Sequence, residues 1–146
     1  MTDRGSKTDL TKSDRLISVL LRIDACFQLG ALLAVVMPLS WMAAIHEGIG
    51  LGEFPRDPIV EYLARSLSTF YALHGVITFV IAGDVARYRP LIKVWAMSFV
   101  ALGVITILID IAAALPLFWL LSEGPFVIAF GLVILCLSRS SDGDAE

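Results

Sequence analysis

Apolar residues in this chain are gathered into four runs, separated by short polar or glycine- and proline-rich connections. Each run is about 20 residues or longer, enough for a helix to cross a hydrocarbon core of about 30 Å. The pattern predicts transmembrane helices at about 16–44, 59–82, 91–115 and 117–137, within a membrane domain of residues 16–138. The flanking stretches 1–15 and 139–146 are polar with no apolar period, and read as disordered tails. Short connections between spans predict an all-α fold, an antiparallel bundle of four transmembrane helices.

Projection at about 100° per residue places the polar positions on particular faces. In the first run Asp24, Gln28, Ala31, Val35, Pro38 and Met42 form one stripe, with Arg22 pointing the other way. Pro38 removes a backbone donor and predicts a kink. The connection HEGIGLGEFPRDP (46–58) reads as a turn-rich loop; its glycines lack the preceding strand and following lysine of a phosphate loop. Pro58 suits the start of the second helix, where Glu61, Arg65, Ser68 and Ala72 share a face. His74 lies about 180° away from Arg65 and serves a different neighbour. In the third run Phe99, Gly103, Thr106 and Asp110 align, and Pro116 ends it. In the fourth, Trp119, Glu123, Val127, Phe130 and Ile134 form a stripe interrupted by Gly124 and Pro125.

Composition sharpens the class. Of 146 residues 58% are hydrophobic, and the net charge of −3 comes with no basic stripe, which argues against a nucleic-acid partner. A cleavable signal is disfavoured, since the first apolar run is too long and contains Arg22 and Asp24. Eight lysines and arginines (Arg4, Lys7, Lys12, Arg15, Arg87, Arg89, Lys93, Arg139) fall on one side, against Arg56 alone on the other. This asymmetry predicts both termini cytoplasmic, with the glycine-rich loop and the Leu115–Pro116 turn outside.

With that orientation, a rise of about 1.5 Å per residue puts Arg65, Asp110 and Glu123 at similar depth below the outer face. Glu61, His46 and Glu47 rim this layer. An ionised side chain in hydrocarbon costs several kcal/mol unless it finds protein or water. One guanidinium has donors for two carboxylates. The layer reads either as a clamp joining the second, third and fourth helices or as an outward-facing pocket for a small polar or anionic ligand. Toward the inside, Asp24 and His74 match in depth and, with Gln28, form a candidate proton relay.

Other chemistry is not indicated. Cys26 and Cys136 lie in different runs without CxxC spacing, and no HExxH or ExxH motif suggests a metal. No nucleophile is flanked by a base, no histidine pair suits haem, and the aromatic residues fit interface belts. No catalytic residue, metal or cofactor is assigned.

ARSLSTFYALHG (64–75), DVARYRPLI (84–92), LPLFW (115–119) and the Glu-Gly-Pro step at 123–125 resemble the DoxX-like small four-helix membrane proteins over about Tyr62–Leu137. Helix three of the related patterns often carries a Gly-Arg step; here Thr106 to Asp110 supplies an acid. The resemblance implies a multi-pass bacterial inner-membrane protein, in some cases a partner of redox or detoxification systems.

The leading expectation is a non-enzymatic membrane protein, an accessory or small-ligand-binding subunit with a polar pocket toward the outer face. Its partners would be membrane lipid and a second copy or another membrane protein. One alternative is a proton-coupled small-solute carrier or channel acting as an oligomer. Another is a membrane-embedded enzyme acting on lipid or quinone.

Overall fold

The computed structural model describes the backbone of residues 12–143 and the side chains of residues 12–140. It is helical, with no strand among the described residues. Seven helical segments follow in order: α1 (Lys12–Gly30), α2 (Leu32–Val36), α3 (Leu39–Gly48), α4 (Pro58–Ala82), α5 (Val85–Ala112), α6 (Leu117–Ser122) and α7 (Gly124–Gly143). Four stretches are long and apolar enough to cross a membrane: Lys12–Val36, Pro58–Ala82, Val85–Ala112 and Leu117–Ser140. Their outward faces carry Phe27, Leu33, Val36, Phe70, Leu117 and Phe126, each at least two-thirds exposed. So continuous an apolar exterior has no place in water, where exposed patches are limited to a few hundred Å². The chain is an integral, multi-pass membrane protein.

The segment ends differ from the sequence reading in instructive ways. Residues 1–11 and 144–146 of the expected tails lie outside the described residues, but α1 already begins at Lys12. Asp14, Ile17, Leu21 and Ala25 continue one buried stripe through its first turns. The first run does not merely kink at Pro38. It breaks there, with Met37 and Pro38 extended between α2 and α3. Proline has no N–H to offer Ala34, and its ring blocks the preceding turn. The third helix starts six residues earlier than its apolar run, at Val85, because the Asp84 carboxylate accepts from the Arg87 N–H at 3.1 Å and caps it. Its far end closes on Ala114, whose φ of 52° lets Leu115 N–H reach the Asp110 carbonyl at 3.0 Å. In the fourth run the expected interruption falls at Glu123, between α6 and α7.

Packing runs in the order α4, α1, α7, α5. α5 lies along α7, α1 touches both α4 and α7, and α4 and α5 barely meet although only Gly83 and Asp84 join them. The contact of α5 with α7 is backbone against backbone. A Cβ on Gly131 would sit 2.7 Å from the Ala96 carbonyl, and one on Gly103 would sit 2.7 Å from the Gly124 carbonyl. Gly75 brings α4 onto α1 similarly, its Cβ position 3.0 Å from the Ala25 carbonyl.

All four spans converge at the end near Gly83. Ile17 and Leu21 of α1, Ile81 and Ala82 of α4, Val85 and Ile92 of α5 and Ile134 of α7 form one buried cluster. Two polar ties lock it. The Ser18 hydroxyl donates to the Ala82 carbonyl at 2.7 Å. Arg89 donates to both oxygens of buried Asp14 at 2.8 and 3.0 Å. Away from this end α4 and α5 diverge.

Two outcomes test this account. Gly103→Leu should lower the stability of the purified protein by about 2 kcal/mol, the usual scale of overpacking, seen as a lower thermal midpoint in detergent. Asp14→Ala takes both carboxylate bonds from the mostly buried Arg89 guanidinium, and removing one partner of a buried pair costs about 3 kcal/mol or more. A double-mutant cycle with Arg89→Ala should return part of that loss as coupling between the two sites.

Candidate functional site

The divergence of α4 and α5 leaves a groove of about 740 Å³. Leu67, Phe70, Tyr71 and His74 line it from α4, and Val94, Trp95, Ser98, Phe99, Leu102 and Thr106 from α5. Asp24 and Gln28 of α1, with Glu123 at the α6–α7 junction and Val127 of α7, form its floor. Its walls are apolar and aromatic, and its polar groups are few, the usual make-up of a small-molecule site.

A hydrogen-bonded chain crosses this floor. The Trp95 indole N–H donates to His74 Nε2 at 3.2 Å. His74 Nδ1 lies 2.5 Å from Gln28 Oε1, and Gln28 Nε2 donates to Asp24 Oδ2 at 2.5 Å. The proton positions follow from the two ends. Indole nitrogen is a donor and nothing else, so Nε2 must accept and the imidazole is the neutral Nδ1–H tautomer. Nδ1–H then donates to the amide oxygen, leaving the amide NH₂ for the Asp24 carboxylate. Flipping the Gln28 amide would leave His74 without a proton on either nitrogen, so the amide orientation is fixed as well. Every donor in the line points toward Asp24.

Aromatic rings reinforce the wall. The His74 and Trp95 planes differ by 5°, as an in-plane bond between their edges requires. Trp95 and Phe99 stack with centroids 3.9 Å apart, and Phe130 of α7 packs against both. The Trp95–His74 bond therefore bridges α4 and α5 where the helices themselves separate.

The residues expected to form the outer layer are distributed differently. Arg65 Nη1 donates to the Val35 carbonyl, and Nη2 donates to the Met37 carbonyl at 3.0 Å. Its Nε and Nη2 also meet Glu61 Oε1 at 2.9 and 2.8 Å. These carbonyls immediately precede Pro38 and have lost helical partners, so Arg65 caps the end of α2 from the neighbouring helix. The guanidinium is not brought together with Asp110 or Glu123. Asp110 is buried near the end of α5, and neither its Oδ2 nor the Thr78 hydroxyl in α4 has a hydrogen-bond partner among the described residues. Glu123 lines the groove, where its carboxylate has no hydrogen bond or ion pair with a described residue. His46 Nδ1 donates to the Gly52 carbonyl at 3.0 Å and its ring meets Phe54 edge to face, which folds the loop back on α3. Glu47 lies beside Glu53 and Arg56 in a smaller hollow against that loop.

Asp24, Gln28 and His74 are brought together, with Gln28 as the bridge between the acid and the imidazole. Sequence reasoning missed Trp95, Phe99 and Tyr71 as groove residues, and it missed the Asp14–Arg89 pair. A signal for the latter was present: Asp14 precedes Ile17 and Leu21 at helical spacing. Among the described residues, no group of three histidine, cysteine, aspartate or glutamate side chains is placed to hold a metal ion.

Replacing Arg65 by Ala should uncap the Val35 and Met37 carbonyls and destabilise the protein by about 2 kcal/mol, the scale of a buried polar group left unsatisfied. Hydrogen exchange should locate the loss around residues 35–42; uniform loss over all four spans would instead make Arg65 a general packing element. No protein-family model, curated protein or solved structure matches the chain.

Proposed function

We propose that this chain is a non-enzymatic ligand-binding protein of a bacterial inner membrane, and that it holds an amphipathic, membrane-dissolved molecule in the groove between α4 and α5. The observation that carries this reading is the 740 Å³ groove, apolar along its walls and crossed by an ordered polar chain at its floor. An apolar body entering between the diverging helices displaces lipid, and Asp24 and Glu123 give its polar end something to recognise. The spans are antiparallel with both termini cytoplasmic, a topology supported by the lysine and arginine asymmetry. Glu123 and the wide end of the groove then face outward. The resemblance to DoxX-like proteins supports reading the chain as an accessory subunit, with a second copy or another membrane protein as partner.

The polar chain favours a fixed anchor over the carrier alternative. Indole N–H does not give up its proton near neutral pH, and an amide in the middle of the line holds its own hydrogens. Such a row orients dipoles toward Asp24 and is poorly suited to passing protons along it.

Ser98 sits on the groove wall with its hydroxyl returned to the Val94 carbonyl at 3.0 Å, so a larger side chain there fills the groove without removing a tertiary bond. Ser98→Trp should remain folded in detergent yet lose co-purifying lipid or added amphiphile in native mass spectrometry. Saturating ligand at about 100 times its Kd should raise wild-type stability by about 2.7 kcal/mol and leave Ser98→Trp unmoved. Equal retention and equal thermal shifts in both proteins would rule out the groove as the binding site.

A further inference from the structure

Building on the reading of the groove as a ligand site, we infer that its ligand is a hydrophobic organic cation, an amine or onium ion bearing apolar groups. The argument is one of charge. Asp24 and Glu123 both line the groove, and no lysine or arginine does. Two arginines of the spans that frame it, one in α4 and one in α1, are engaged elsewhere. Arg65 is held by Glu61 and two carbonyls, and Arg22 lies over the Phe79 ring. His74 contributes no charge, because the indole donor fixes its neutral tautomer. Asp24 receives a bond from a neutral amide, and Glu123 receives none from a described residue. Carboxylates in a membrane site without a counter-charge are costly. A ligand cation removes that cost, a neutral ligand leaves it, and an anion adds to it.

The walls fit the same occupant. Phe70 and Tyr71 are exposed along the groove beside the Trp95–Phe99 stack, and aromatic rings attract cations and accept apolar substituents together. A bare metal ion is a poor match, since hard cations need several oxygens converging within about 2.5 Å. No cluster of that kind exists among the described residues. The groove volume of about 740 Å³ is ample for a multi-ring organic ion.

The test uses two ions of the same shape and opposite charge, tetraphenylphosphonium and tetraphenylborate. Binding to the full chain in phosphatidylcholine nanodiscs is measured by equilibrium dialysis, with empty nanodiscs as the blank for bilayer partitioning. Saturable tetraphenylphosphonium binding is expected, weakened about tenfold or more by Glu123→Gln and abolished by Ser98→Trp, with no saturable tetraphenylborate binding. Asp24→Asn should weaken it as well, giving a second charge variant if Glu123→Gln misfolds. Saturable tetraphenylborate binding that Ser98→Trp abolishes would overturn the cation assignment while leaving the groove as a ligand site. Tetraphenylphosphonium binding unchanged in both Glu123→Gln and Asp24→Asn would overturn it too. If neither ion binds, the cation assignment fails; the lipid-retention comparison of wild type and Ser98→Trp then decides separately whether the groove is a site at all.

Discussion

Helices in a bilayer gain little by burying apolar side chains against one another, because lipid is as apolar as leucine. What holds them is close approach, and in this protein the approach is made by glycine. Gly103, Gly124 and Gly131 seat α5 on α7 with backbone against backbone, and Gly75 seats α4 on α1. α4 is thereby committed to the first span and α5 to the fourth, rather than to each other. α4 and α5, tethered through Gly83 and Asp84, share the closed cluster around Ile81 and Ile92 but separate beyond it. The groove follows from that division of partners: it is the space left when two tightly matched helix pairs are joined at one end.

A second constraint acts on the backbone. Within hydrocarbon every carbonyl must find a donor in the protein. Pro38 breaks this rule for the first span by removing a donor and ending α2. Arg65, reaching across from α4, restores the missing bonds at Val35 and Met37 while Glu61 balances its charge. A charge that looked available for a ligand is consumed by a helix end.

That substitution of partners shows what was legible in the chain and what was not. The four spans could be read because hydrocarbon thickness imposes a length that composition reveals directly. Asp24 and His74 could be placed at one depth because rise per residue is fixed, and Gln28 shared the Asp24 stripe. Arg65, Asp110 and Glu123 also matched in depth, yet depth is one coordinate of three. Which helices are neighbours depends on where glycines permit contact, and the partners of Arg65 are carbonyls that no side-chain pattern displays. Trp95 and Phe99 escaped notice because aromatic residues are common in any membrane span. Their role emerges when α5 turns them toward His74. The helical start at Lys12 was hidden by its polar neighbours, although the spacing of Asp14 to Ile17 and Leu21 was already helical.

The two constraints together decide the electrostatics of the groove. At the end near Gly83 Arg89 is spent on Asp14, toward the opposite end Arg65 is spent on Glu61 and the Pro38 break, and Arg22 lies over Phe79. These three arginines thus act away from the space between α4 and α5. The acids are divided differently: Asp14 and Glu61 serve the scaffold, and Asp24 and Glu123 are left facing the groove. Trp95 adds a further bias. By donating to Nε2 it keeps His74 neutral and sets the dipoles of the imidazole and the Gln28 amide pointing at Asp24. Asp14 with Arg89 and Glu61 with Arg65 form paired charges of the scaffold, and the groove is lined by two carboxylates and by no lysine or arginine.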